Sequence, residues 1–113
     1  MITVDDVRRV ALPLPRNTEH LIRDRIKFRV KQIVYCAFSQ DETLMGFAFP
    51  KEERLMLVES EPEKFLLPPA GDLRYHWVVA RMAELDVPEM TELVTDAWRM
   101  VVPKSVAREH LGD

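Results

Sequence analysis

Glycine occupies only three of 113 positions, 46, 71 and 112. That is too few and too scattered for a phosphate-cradling loop of the P-loop or dinucleotide type, which needs several glycines within a few residues. Cysteine is scarcer still: the single Cys36 excludes an internal disulfide framework and any multi-thiolate zinc site. His20, His76, His110 and Cys36 show no close pairing of the kind a helical or knuckle zinc site uses, so no metal is expected. The three serines, Ser39, Ser60 and Ser105, lack a glycine-flanked elbow, and Cys36 lies in an apolar run where a thiol is buried and inert. The carboxylates at 52, 53, 59, 61 and 63 fall at the start and end of a predicted helix, where solvation and the helix dipole account for them. No convergent nucleophile, base or metal set remains, so neither an enzyme nor a cofactor is expected. No apolar run reaches the roughly 18 to 20 residues of a membrane span, and the N-terminus opens polar and acidic instead of basic and then apolar. A cytoplasmic chain without membrane attachment is the expectation.

What is present is ordinary for a globular protein: 47% hydrophobic and 31% charged residues. The length suits one domain over 1–113, with a core at about 2–106 and a short helical tail at 104–113. The net charge of −3 is unevenly spread. Residues 1–31 carry eight basic side chains against four acidic ones, and the remainder eight against fifteen. Such asymmetry bears on partners and solubility.

Thr3 as N-cap, Asp6 three residues on, and Val4, Val7 and Ala11 on one face predict a helix over 3–12, stopped by Pro13 and Pro15. From Ile22 the period becomes two. Ile22, Asp24, Ile26, Phe28 and Val30 alternate with Arg23, Arg25, Lys27, Arg29 and Lys31, which predicts one strand over 22–31. Residues 32–39 and 44–49 read as two more strands joined by a polar turn at 40–43, completing an antiparallel meander. Pro50, Glu52 and Glu53 open a middle helix of about three turns with Leu55 and Val58 on its apolar face, ended by Pro62. Two strands at 64–67 and 75–83 follow, separated by a Pro-Pro-Ala-Gly-Asp-Leu loop. Asp86 and Glu89 open the last long helix, whose stripe of Met90, Leu93, Val94, Ala97, Trp98 and Val101 ends at Pro103, and Ser105 caps a terminal turn through Leu111. The order α-β-β-β-α-β-β-α predicts an α+β two-layer domain, with helices on one face of an antiparallel sheet. Several strands are apolar on both sides, which leaves the second face open to burial against a second copy.

Lys27-Phe28-Arg29-Val30-Lys31 followed by Ile33-Val34-Tyr35-Cys36-Ala37-Phe38 resembles the paired strands of the MmcQ/YjbR family. The helix start at 49–54, Glu61-Pro62-Glu63-Lys64-Phe65, Arg74-Tyr75-His76-Trp77-Val78 and Asp96-Ala97-Trp98-Arg99-Met100-Val101 fall in that family's order, so the likeness spans roughly residues 2–106. The resemblance implies a fold similar to type III secretion chaperones. It also implies a DNA-binding label resting on a double-wing arrangement of β-hairpins around a helix, with no catalytic residue or cofactor to carry over. Many members have a glycine between the first two strands, where this chain has Lys31-Gln32.

Two classes of function follow. In the first, Arg23, Arg25, Lys27, Arg29 and Lys31, about 6.6 to 6.8 Å apart along one strand face, track the phosphates of DNA, with Arg8 and Arg9 extending the patch. The competing account of that stripe is an edge strand whose cations block strand addition and are neutralised by the acidic second half. Arg8 and Arg9 equally fit salt bridges on a helix surface. In the second class, a chaperone-like domain takes up a protein partner, or a second subunit as a homodimer, on the apolar face around Tyr35, Phe47 and Phe49. Tyr75, His76 and Trp77 offer rings for stacking, although Trp77 also fits the core, and Trp98 belongs to the core.

Overall fold

The computed structural model describes residues 1–112. Helix α1 (Val4–Ala11) starts where the capping signal puts it: Asp6 N donates to Thr3 Oγ1 at 3.2 Å and Thr3 N to Asp6 Oδ2 at 2.9 Å, while Val4, Val7 and Ala11 turn into the core. The expected single strand over 22–31 is a hairpin instead. Strands β1 (Asn17–Ile22) and β2 (Arg25–Val30) are joined by Arg23 and Asp24 at φ 52° and 61°, the positive angles that a two-residue type I′ turn requires. Ile22 pairs with Arg25 and shares its face, so it lies opposite Ile26, Phe28 and Val30 and not beside them.

Strand β3 (Ile33–Phe38) follows through a second two-residue turn, with Val30 paired to Ile33 and Lys31 itself at φ 55°; the tight hairpin forms without glycine. The register shifts after Phe28, and this bulge sends the successive residues Tyr35 and Cys36 both into the core. Strand β4 (Leu44–Ala48) returns through a turn in which Ser39 Oγ accepts from Leu44 N at 3.0 Å and donates to Asp41 at 2.7 Å.

Helix α2 (Arg54–Ser60) is shorter than expected and begins four residues after Pro50. Val58 packs against the core as expected, with Leu57 beside it and Arg54 buried, but Leu55 is exposed along with Met56. Strand β5 (Phe65–Leu66) and strand β6 (Trp77–Arg81) flank a loop with a 3-10 turn at 70–72. Helix α3 (Val87–Arg99) is capped by Asp86, which accepts from Glu89 N at 2.9 Å; the Glu89 carboxylate leaves the box and takes Lys64 Nζ at 2.8 Å. Helix α4 (Lys104–Leu111) starts directly after Pro103, with no cap from Ser105, and closes on Gly112 at φ 77°. Of the tail expected over 104–113, Asp113 lies outside the described residues.

The sheet is antiparallel throughout, in the order β1-β2-β3-β4-β6-β5, so β2 is an interior strand and the edge-strand account of its cations does not hold. Partners in register share a face. Phe28, Cys36, Phe47 and Val78 form one row, and Phe38, Met45, Ala80 and Phe65 the next. All eight are buried beneath α3, which crosses β3 and β4 and packs on α1. Trp98 is fully enclosed and its indole N–H donates to Pro15 O at 2.8 Å, tying α3 to the segment after α1. The architecture is the expected α+β one: helices on one face, the other uncovered.

Candidate functional site

The uncovered face carries the side chains of opposite parity: His20 and Ile22 on β1, Arg25, Lys27 and Arg29 on β2, Val34 and Ala37 on β3, Gly46 on β4, and Trp77 and Val79 on β6. Three of the five stripe cations, Arg25, Lys27 and Arg29, therefore share one face of β2. Arg23 and Lys31 sit in the two turns that bound the strand, at positive φ, because hairpin turns interrupt the pattern at both ends. The side chains of Arg25 and Lys27 make no ion pair or hydrogen bond among the described residues, so the acidic half of the chain does not neutralise them there.

Arg29 is held in place. One of its terminal nitrogens donates to His20 Nδ1 at 2.9 Å, which leaves the hydrogen on His20 Nε2, 2.9 Å from Thr18 Oγ1. Its Nε is buried without a partner among the described residues. Arg8 and Arg9 do not extend the patch. Arg8 is bound by Asp5 at 2.6 Å and Glu19 at 2.9 Å, which hold its guanidinium firmly protonated, and Arg9 by Asp6 at 2.8 Å.

Across the face from these cations, the Trp77 indole lies over the backbone of β4. A Cβ placed on Gly46 would come within 2.5 Å of Trp77 Nε1, so only glycine admits the ring there. Trp77 is half-buried and not fully enclosed in the core, and its indole N–H finds no hydrogen-bond partner among the described residues. Tyr75 is half-exposed beside it, its ring under Arg74 at 4.8 Å and its hydroxyl 2.8 Å from that guanidinium. The segment is clamped from behind by Arg54, whose side chain donates to Tyr75 O at 2.7 Å, to Trp77 O at 3.3 Å and to Leu73 O. His76 Nδ1 in turn accepts from Lys51 N at 3.0 Å.

Between cations and rings lies a trough of about 610 Å³, lined by Arg25, Lys27, Val34, Ala37, Tyr75, His76 and Trp77, and also by Met100 and Val101. It adjoins a more open one of about 400 Å³ that reaches Leu66, Leu67 and Val79, the two sharing Arg25, Ala37, Phe38, Asp72 and Trp77. The Asp72 carboxylate has no partner among the described residues. A separate hollow beside α2, lined by Glu52, Leu55, Met56, Glu59 and Ser60, offers carboxylates and no cation.

The residues expected to form an apolar partner face do not form one. Tyr35 and Phe47 are wholly buried on the helix-covered side, and Phe49 is half-buried with its ring edge-on to Phe47. Tyr35 donates its hydroxyl to Asn17 Oδ1 at 2.7 Å, and burial pushes its ionisation above the usual tyrosine range. Cys36 is enclosed beside it and its thiol is likewise pushed up. No group of three or more metal-ligating side chains occurs among the described residues, and none of their helices is long and apolar enough to cross a membrane.

Comparison with known proteins accords with this fold. The YjbR family profile matches residues 12–100, from the end of α1 to the end of α3. The chain belongs to the YjbR family. Uncharacterised proteins of Mycobacterium bovis and Mycobacterium tuberculosis are 33% identical to it over 60 residues, 53% of this chain and 46% of theirs. This YjbR chain thus aligns with less than half the length of those curated relatives. The crystal structure of Deinococcus radiodurans protein DR2400, a DUF419 domain, has the same fold at a TM-score of 0.77 and 22% identity, covering 99% of this chain and 89% of that one.

Sequence reasoning missed Arg54 and Asp72. An arginine next to two glutamates at a helix start looks solvated, and nothing local announces that it reaches three carbonyls some twenty residues away. Gly46 did carry a readable signal, since a glycine inside a strand marks a close approach.

Proposed function

We propose that this YjbR chain is a non-enzymatic binding module that holds the phosphate backbone of nucleic acid on its uncovered sheet face. The observation that carries the reading is the row Arg25, Lys27 and Arg29, about 6.8 Å apart along β2 and facing outward, in which no carboxylate among the described residues pairs with any of the three. Cations without a carboxylate partner at regular spacing suit a polyanion, because each phosphate they neutralise releases condensed counterions. The overall charge of −3 argues against indiscriminate binding over the whole surface and confines the interaction to this face.

The test is fluorescence anisotropy of a labelled oligonucleotide between about 50 and 200 mM salt. Three phosphate contacts to a single strand correspond to a log–log salt slope of about −2. Arg25→Ser, Lys27→Ser and Arg29→Ser combined should weaken binding of every sequence and flatten that slope. Equal binding by the triple variant would remove the site assignment.

A protein-binding reading retains one supporting observation, the exposed Leu67, Tyr75 and Met100 around the troughs. It predicts partners that survive high salt, the opposite of the behaviour above.

A further inference from the structure

We infer that the ligand of this face is single-stranded nucleic acid, with an unpaired base stacked on Trp77 while its phosphates lie on β2. The inference rests on the phosphate-binding reading and adds what the rest of the face requires. The trough has two chemically different ends. On β2 stand Arg25 and Lys27 with no partner among the described residues; on the far side stand Trp77, Tyr75 and the Asp72 carboxylate, which has no partner among them either. Strands β2 and β6 are three strand spacings apart, about 14 Å.

Phosphate alone would be served by the first end and repelled by Asp72. A nucleotide uses both: the phosphate on the cations, the π-face of the base on the indole, and a base-edge N–H donated to the Asp72 carboxylate. Duplex bases cannot do this, since their faces are stacked and their Watson–Crick edges paired. The indole is already positioned, because Gly46 leaves room for it beneath and Arg54 fixes the backbone at Tyr75 and Trp77. The trough of about 610 Å³ lies within the 300 to 1,000 Å³ of sites that enclose small ligands. Three cations in a row exceed what one phosphate needs, which favours a strand over a free nucleotide.

The experiment titrates the protein with a mixed-sequence 12-mer as single strand, the same sequence as duplex, and a mononucleotide, reading anisotropy and intrinsic tryptophan fluorescence together. Trp98 is enclosed and gives a constant background, so quenching reports Trp77. The expected result is quenching by the single strand, with binding at least ten-fold tighter than for duplex or mononucleotide. Trp77→Leu should lose about ten-fold or more, as for removal of a stacking platform. Asp72→Asn, a change at a partly exposed loop position that spares the fold, should weaken the single strand. If Asp72 merely repelled phosphate, that variant would bind tighter, and this result overturns the base-edge contact. Duplex bound as well as single strand with a steep salt slope, a mononucleotide bound as tightly as the 12-mer, or binding without quenching would each overturn the inference and leave phosphate binding standing. No binding by any of the three, even at low salt, would overturn both.

Discussion

Arg54 shows how a single charged side chain can set the shape of a sheet face it does not line. Its guanidinium satisfies carbonyls of Leu73, Tyr75 and Trp77, groups that would otherwise be left without partners at the start of β6. Arg54→Ala is expected to cost about 2 to 3 kcal/mol, the range for losing charge-assisted bonds to buried acceptors, read as a lower urea midpoint at unchanged slope. A loss under about 0.5 kcal/mol, the ordinary scatter of surface changes, would show that the clamp is not needed. Gly46 makes the complementary case. Gly46→Ala puts a methyl where the Trp77 ring lies, so the ring must swing outward; the expected outcome is a red-shifted emission and a loss of about 1 to 3 kcal/mol from overpacking. Unchanged emission would place the indole elsewhere.

Turns explain at the scale of elements why one strand was expected where there are two. Arg23 and Asp24 look like members of an alternating strand, because a two-residue turn built from non-glycine residues leaves no composition mark; only their positive φ reveals it. Polar Asn17-Thr18-Glu19-His20 hid β1 for a related reason, being an edge strand with little apolar content of its own. Strong local chemistry was legible by contrast. The Thr3–Asp6 box and the Asp86 cap stand where they were expected, as do the buried Met90, Val94, Ala97 and Trp98. Lys31 at φ 55° bears the left-handed cost for an L-residue, so Lys31→Gly should raise stability by about 0.5 to 1 kcal/mol despite the added chain entropy. A lower unfolding midpoint would contradict that turn.

The start of α1 adds a pH dependence. The backbone amide of Thr3, with its hydroxyl and the nearby Arg9, holds the Asp6 carboxyl below its ordinary 3.8. A depressed carboxyl contributes stability that is present above the unfolded value and lost as pH falls through the folded one. The cap therefore loosens below about pH 4, and Asp6→Asn should remove that part of the acid dependence. An Asp6 titration by NMR at or above 3.8 would contradict it.

At the scale of the whole molecule, one apolar surface of a six-stranded sheet is consumed by helices and the other is left with cations at one side and rings at the other. That division was legible as a fold class, but not as a site. The sequence pattern placed Tyr35 and Phe47 on an open face, because strands apolar on both sides do not say which side the helices take, and a bulge turned Tyr35 inward. Arg25, Lys27 and Arg29 were found because alternation within β2 is real; Asp72 and the clamp by Arg54 were not, since loops that pack against a sheet are set by tertiary contacts.

The most direct test of the central claim is to titrate the isotopically labelled protein with a single-stranded oligonucleotide and map amide shift changes by NMR. The account predicts changes concentrated at 25–29, 34–37, 46–48 and 72–79, with α1 and α3 silent. Changes centred on the helix face, or none at low salt, would contradict it.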